Sequence, residues 1–166
     1  MQSIVLVVHN VRSAHNVGSI LRSADGFGLD HVYLTGYSPY PETKNDTRLP
    51  HMVKRATRQI SKTALGAENS VKWTHSENVF QLINKLKLDF LVIALEQTPK
   101  AKLLTDFKTS NNIALIVGSE VEGLDRQILE IVDLHLKIPM LGQKESFNVA
   151  VAAAIAMHYL RTAGAL

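Results

Sequence analysis

The stretch IALIVGSEVEGLDRQILEIV, Ile113–Val132, carries the pattern that decides the fold. It opens on five apolar residues, Ile113–Val117, with nothing polar among them. A strand with one wet face alternates apolar and polar side chains. An unbroken run instead marks a strand covered on both faces, the condition of a parallel sheet. A polar turn follows, GSEVEG (Gly118–Gly123), and then a helical stretch, Leu124–Val132. Strand, glycine turn and helix in that order form the repeating unit of α/β domains.

Working outward, four more apolar runs read as strands: Ile4–Val8, His31–Thr35, Phe90–Leu95 and Leu134–Ile138. Helical stretches separate them at Val17–Phe27 and Glu77–Leu86, and a last helix begins near Ser146 or Asn148, both good caps. Residues 36–75 hold three prolines and form a longer connection, with a short helix expected at Val53–Ser61 and a short strand at Val71–Thr74. The expectation is one α/β domain over residues 1–166, a parallel sheet with helices on both faces and no further domain.

Composition narrows the function classes. At 166 residues, 46% hydrophobic and 20% charged, the chain suits a water-soluble globular domain. It has no cysteine, which removes disulfides and thiolate metal sites, and its seven histidines show no paired metal-ligand spacing, so no metal is expected. The start, MQSIVLVVHN, lacks the basic head and long apolar run of an export signal, and its apolar run is too short to span a bilayer. A cytoplasmic location away from membranes is expected. Net charge is +3, unevenly spread. Between Lys44 and Lys62 stand six cations, Lys44, Arg48, Lys54, Arg55, Arg58 and Lys62, against the single acid Asp46. Such a segment either binds a polyanion, RNA first in line, or is a solvated surface.

Three polar, glycine-containing segments each follow a strand: HNVRSAHNVGSILR (His9–Arg22), GSEVEG, and PMLGQKESFN (Pro139–Asn148). Open α/β sheets bind ligands beyond the carboxyl ends of their strands, so segments far apart in sequence are expected to share one site. In the first, Asn16, Gly18 and Arg22 are spaced N-x-G-x-x-x-R. Gly18 permits close backbone approach and Arg22 grips a phosphate, or else Asn16 caps the helix and Arg22 makes a surface ion pair. In the second, Glu120 offers an acceptor, and the spacing matches neither a P-loop nor a dinucleotide turn. His9 and His15 lie near enough to touch a substrate, or are structural. No Ser/His/Asp order and no G-x-S-x-G elbow is present, so a hydrolase is not indicated.

The final helix has two unlike faces. Phe147, Val151, Ile155 and Tyr159 form a bulky stripe, while Ala150, Ala153 and Ala154 let a neighbour approach closely. A helix apolar all round must be covered on every side, so an intermolecular contact is expected as well.

Together, N-x-G-x-x-x-R, V-G-S-E-x-x-G-L and I-P-M-x-G-x-x-E-S-F-N-V-A-V-A resemble, in order and spacing, the three motifs of the SpoU (TrmH) family, RNA ribose 2′-O-methyltransferases of the SPOUT class. The resemblance runs from Ile4 to Leu160. It implies a deep trefoil knot in the C-terminal part, a homodimer, and S-adenosylmethionine held bent by the knotted loops. The implied cofactor pocket is Leu95, Gly118, Ile138, Met140, Ser146 and Phe147. The implied functional polar residues are Arg22, Asn16, Glu120 and Asn148. Asn16 and Asn148 are expected to orient the ribose, with Glu120 positioning Arg22 or Asn148. Arginine stays protonated near neutral pH, so Arg22 is expected to clamp phosphate and oxyanion rather than act as base. RNA is expected on Arg22, Lys44, Arg48, Lys54, Arg55, Arg58 and Lys62, with tRNA favoured over ribosomal RNA. Two alternatives remain open: a base methyltransferase of the same class, and a non-catalytic knotted RNA-binding or assembly factor.

Overall fold

The computed structural model describes residues 2–162. Seven strands form one sheet: β1 (Ile4–His9), β2 (His31–Thr35), β3 (Trp73–Ser76), β4 (Leu91–Leu95), β5 (Lys102–Leu103), β6 (Ile113–Val117) and β7 (Leu134–Lys137). They lie in the order β3-β2-β1-β6-β4-β7-β5, and every pairing is parallel. The helices are α1 (Ala14–Gly26), α2 (Pro50–Ala64), α3 (Ala67–Ser70), α4 (Val79–Leu86), α5 (Arg126–Ile131) and α6 (Val149–Thr162). Among the described residues none is long and apolar enough to cross a membrane.

The unbroken apolar runs have the predicted physical cause. Successive strand side chains point to opposite faces. Ile4, Leu6 and Val8 of β1 join Ile113, Leu115 and Val117 of β6 in one core with α1 and α6. Val5, Val7, Ala114 and Ile116 join the other, beneath α4 and α5. Both faces are dry, so β6 has no polar position and β1 has one only at its last residue, the buried His9.

Element ends differ where a local hydrogen bond outweighs the apolar pattern. Helix α1 starts three residues before Val17, because Ser13 accepts from the Asn16 N–H at 3.3 Å and caps it. Asn16 therefore lies inside the helix, not at its cap. Helix α2 extends to Pro50 and Ala64, with proline at its first turn. Strand β3 begins at Trp73, not Val71, because Val71 closes the unforeseen α3 by donating to the Ala67 carbonyl. Helix α5 starts at Arg126, since the Leu124 N–H is taken by the Glu96 carboxylate at 3.0 Å. Helix α6 starts after Asn148, whose Oδ1 accepts from the N–H groups of Ala150 at 2.9 Å and Val151 at 3.4 Å.

Helix α6 packs its small face inward. Ala153, Ala156, Met157 and Leu160 are fully buried against the body that includes α1. The Tyr159 hydroxyl donates to the carbonyls of Thr105 and Phe107, fastening the helix to the segment between β5 and β6. Val151 and Ile155 point outward, 47% and 38% exposed.

Candidate active site

Strand β1 is followed by a helix and then β2 on its far side, whereas β6 leads away past β4 to β7. The chain thus diverges at β1 and β6, which opens a crevice beyond their carboxyl ends. The loop after β6 is unusually tight. Ser119 and Gly123 exchange two backbone hydrogen bonds of 3.1 Å. A Cβ on Gly118 would run into the Gly123 backbone, and one on Gly123, at φ +69°, into the Glu96 carboxylate. Glycine is demanded at Gly118 by contact within the loop itself and at Gly123 by its positive φ and the Glu96 side chain.

Glu96 and Gln97, directly after β4, were not singled out in the sequence. Glu96 accepts from Leu124 N–H, and the Gln97 side-chain amide donates to the Ile138 carbonyl at 2.6 Å. These two residues tie the loops after β4, β6 and β7 into one wall. The signal was present as a polar pair ending an apolar strand, LEQT. The resulting cleft is lined by Leu95, Gly118, Ile138, Ser146 and Phe147 of the expected pocket, with Ala152 of α6 also on its wall. Met140 is half-buried but does not line it. Among the described residues the backbone of residues 139–147 makes no hydrogen bond, and residues 141–148 are exposed. Its amides and carbonyls face solvent with their capacity unspent.

Beside the cleft, three distant segments meet in one hydrogen-bonded chain. The Asn16 amide donates to Glu120 Oε1 at 2.8 Å, and Asn16 Oδ1 accepts from the Asn148 amide at 3.2 Å. Glu120 also accepts from the backbone N–H of Arg12 at 2.9 Å and Ser13 at 3.1 Å. Burial opposes ionisation of Glu120, but these donors together outweigh it and hold the carboxyl below its ordinary value. The carboxylate thus occupies the start of α1, where the free N–H groups favour negative charge.

Arg22 stands apart from this chain. It follows Asn16 by six residues, about 9 Å along the helix and on another face. It is exposed in a shallow depression with Ser19, Ser23, Thr63 and Ala154. Glu120 reaches Asn148 only through Asn16, and no hydrogen bond joins it to Arg22 among the described residues. Gly18 serves packing, since a Cβ there would strike Thr63 and the Ile60 carbonyl on α2. His9 is buried, with Nδ1 2.9 Å from the Thr35 hydroxyl and Nε2 3.6 Å from Asp125. Burial lowers its pKa in spite of Asp125. His15 is exposed.

The basic segment divides in two. Arg48 is committed within its own loop: it pairs with both oxygens of Asp46, donates to the carbonyls of Tyr40 and Pro41, and lies 3.5 Å over the Tyr40 ring. This arginine, expected on an RNA surface, has its charge neutralised and its donors engaged. Lys54, Arg55, Arg58 and Lys62 differ. They are exposed on α2, a helix without a single acid, and make no ion pair among the described residues. Lys44 is exposed in the preceding loop.

The sequence matches the SpoU rRNA methylase family over residues 3–158. A TrmH family protein of Staphylococcus epidermidis, named as a tRNA/rRNA methyltransferase, is 30% identical over 156 residues, 94% of this chain and 57% of that protein. The chain thus spans a little over half the length of that relative. The fold is similar to that of an AdoMet-bound rRNA methyltransferase from Sinorhizobium meliloti, with TM-score 0.77 at 20% identity over 96% of this chain and 56% of the other. It is also similar to a structure described as giving insight into 2-OH methylation of C/U34 on tRNA, with TM-score 0.72 at 23% identity over 98% of both chains.

Proposed function

The chain belongs to the SpoU rRNA methylase family, and from that premise we propose that it transfers a methyl group from S-adenosylmethionine to a ribose 2′-hydroxyl of RNA, with tRNA favoured over ribosomal RNA. The observation that carries the reading is the Glu120–Asn16–Asn148 chain beside a cleft bordered by the unpaired backbone of Ser146 and Phe147. The cleft fits the cofactor: Leu95, Ile138 and Phe147 offer apolar contact to a flat base, and the free backbone groups of Ser146 and Phe147 can read its edge. The cofactor supplies a methyl group already activated on a sulfonium sulfur.

What the protein adds is alignment and a place for the hydroxyl. Asn16 spends one amide hydrogen on Glu120 and Asn148 one on Asn16 Oδ1, which leaves each with one amide hydrogen for a ribose beside the cleft. Glu120 is the positioning residue that fixes the Asn16 amide. Its oxygens are occupied by three donors and its basicity is reduced, so it is not the proton acceptor. The 2′-hydroxyl proton goes to a substrate phosphate or another acceptor outside this chain of side chains. Alignment of this kind supplies part of the roughly 7–11 kcal/mol open to well-oriented reactants.

RNA is recruited along α2, by Lys54, Arg55, Arg58 and Lys62, with Lys44 at its approach and Arg22 clamping a phosphate. Two chains pair across Phe147 and the outward Val151 and Ile155 of α6, which are left uncovered in one chain. Arg22 borders that face through Ala154, so pairing sets it at the interface. What supports a trefoil knot is the path after β7: that strand lies between β4 and β5, and α6 then returns to the α1 side and fastens onto residues 105 and 107. Preference for tRNA is supported by the similarity to the tRNA-directed structure over nearly the whole of both chains. The test is transfer of labelled methyl from S-adenosylmethionine into separated tRNA and ribosomal RNA lacking the modification. Label in neither, with an intact fold, overturns the proposal.

A further inference from the structure

The loops leaving β1 and β2 are locked to each other far more firmly than surface loops require. Asn10, in the left-handed region at φ 55°, donates from its backbone to Thr35 and accepts the Tyr37 N–H on Oδ1 at 3.2 Å. Ser38, fully buried, takes the Val11 N–H at 3.0 Å and donates to the Val8 carbonyl at 3.0 Å. Thr35, also buried, meets His9. Gly36, at φ +64°, has the Asn10 amide where a Cβ would stand. A left-handed non-glycine residue, a left-handed glycine and two buried hydroxyls hold this double loop in one shape.

What the loop presents is an aromatic ring kept in water. Tyr37, at its apex, is 53% exposed. On the neighbouring strand exit stands Arg12, also exposed, whose backbone N–H binds Glu120 at 2.9 Å while Asn16 binds the same carboxylate at 2.8 Å. The Tyr37–Asn10 and Val11–Ser38 hydrogen bonds set residue 37 beside the chain that leads into Arg12, and the Tyr37 hydroxyl raises the Arg12 pKa above its ordinary value. An exposed ring beside an exposed arginine, one carboxylate away from the amides assigned to the ribose, suits a nucleotide whose base has left its stack.

We propose that Tyr37 and Arg12 form the seat for the base and phosphate of the nucleotide being modified: the base stacks on the Tyr37 ring, and Arg12 grips the adjoining phosphate. This rests on the RNA methyltransferase reading and deepens it. It makes Tyr37 a substrate-positioning residue and requires a target nucleotide that is unpaired when bound.

The test compares full-length wild type with Tyr37→Ala, Tyr37→Phe and Arg12→Ala, using labelled S-adenosylmethionine and tRNA lacking the modification. Melting curves and calorimetric cofactor affinity report the fold and the cleft. Tyr37→Ala is expected to raise KM for RNA by roughly ten- to a hundredfold with cofactor affinity unchanged. Tyr37→Phe keeps the ring and is expected within about threefold of wild type. Arg12→Ala is expected to raise KM and to flatten its salt dependence. An active wild type with Tyr37→Ala unaffected, or with Tyr37→Phe as impaired as Tyr37→Ala, overturns this inference alone. A wild type that methylates no RNA overturns it together with the reading on which it stands.

Discussion

Replacing Glu120 by glutamine removes one charge and keeps nearly the same shape, and the structure says what that costs. The carboxylate accepts three hydrogen bonds, from Arg12 N–H, Ser13 N–H and the Asn16 amide. Glutamine has one accepting oxygen, and its amide group must face at least one of those donors. Hydrogen bonds to an ionised partner are worth about 1.5–3 kcal/mol, and at this half-buried site the lower end applies, so about 1.5 kcal/mol should be lost. For a chain of this size that lowers the melting temperature by roughly 3–6 °C near neutral pH. The dependence on pH has a definite sign. A folded-state carboxyl held below its ordinary value of 4.5 contributes stability above that pH, and the contribution disappears as pH falls through the lower folded value. The gap between wild type and Glu120→Gln should therefore be full at pH 6–7 and close in acid. Catalysis should suffer as well: the amide takes the Oε2 place facing the single Arg12 N–H, Asn16 is held by a neutral oxygen in place of a charged one, and a displacement of about 1 Å can cost a hundredfold in rate. Thermal melts by circular dichroism across pH, with methyl transfer at saturating substrates, read both effects. Equal melting at pH 7 and unchanged kcat would refute the positioning role.

Gly118→Ala puts a methyl group into the Gly123 backbone; S-adenosylmethionine affinity by calorimetry should fall at least tenfold, and an unchanged affinity would mean the tight loop does not shape the cofactor wall. Arg58→Ala and Lys62→Ala should each reduce the slope of log affinity for tRNA against log salt by about 0.7–0.9. Arg48→Ala should instead leave that slope alone and lower the melting temperature, since its partners lie within its own loop. Val151→Asp with Ile155→Asp should give a monomer in light scattering; a dimer that persists would place the contact elsewhere.

A strand buried on both faces was legible because such burial leaves no polar position: Ile113–Val117 begins and ends where the apolar run does. Strand β5 is only Lys102 and Leu103, held by pairing with β7, and two residues carry no pattern. The start of α1 was misplaced because Ser13 and Asn16 are both good caps, and only the folded backbone decides which accepts a bond. Glycine identity announced close approach at Gly18 and Gly118 without saying to what. At Gly18 the answer is another helix; at Gly118, its own loop. Charge counting had the same limit, since Arg48 and Arg58 look alike until the Asp46 and Tyr40 contacts are seen. Asn16, Glu120 and Asn148 were named from motifs; that they form one chain while Arg22 lies apart is tertiary information.

The central claim is chemical, that methyl reaches a ribose oxygen. Purified protein would be incubated with methyl-labelled S-adenosylmethionine and tRNA lacking the modification, and the RNA then digested to nucleosides and resolved by mass spectrometry. Label in a 2′-O-methylnucleoside, lost in Asn16→Ala, is the predicted result. Label on a base, or no label despite cofactor binding and an intact fold, would contradict it.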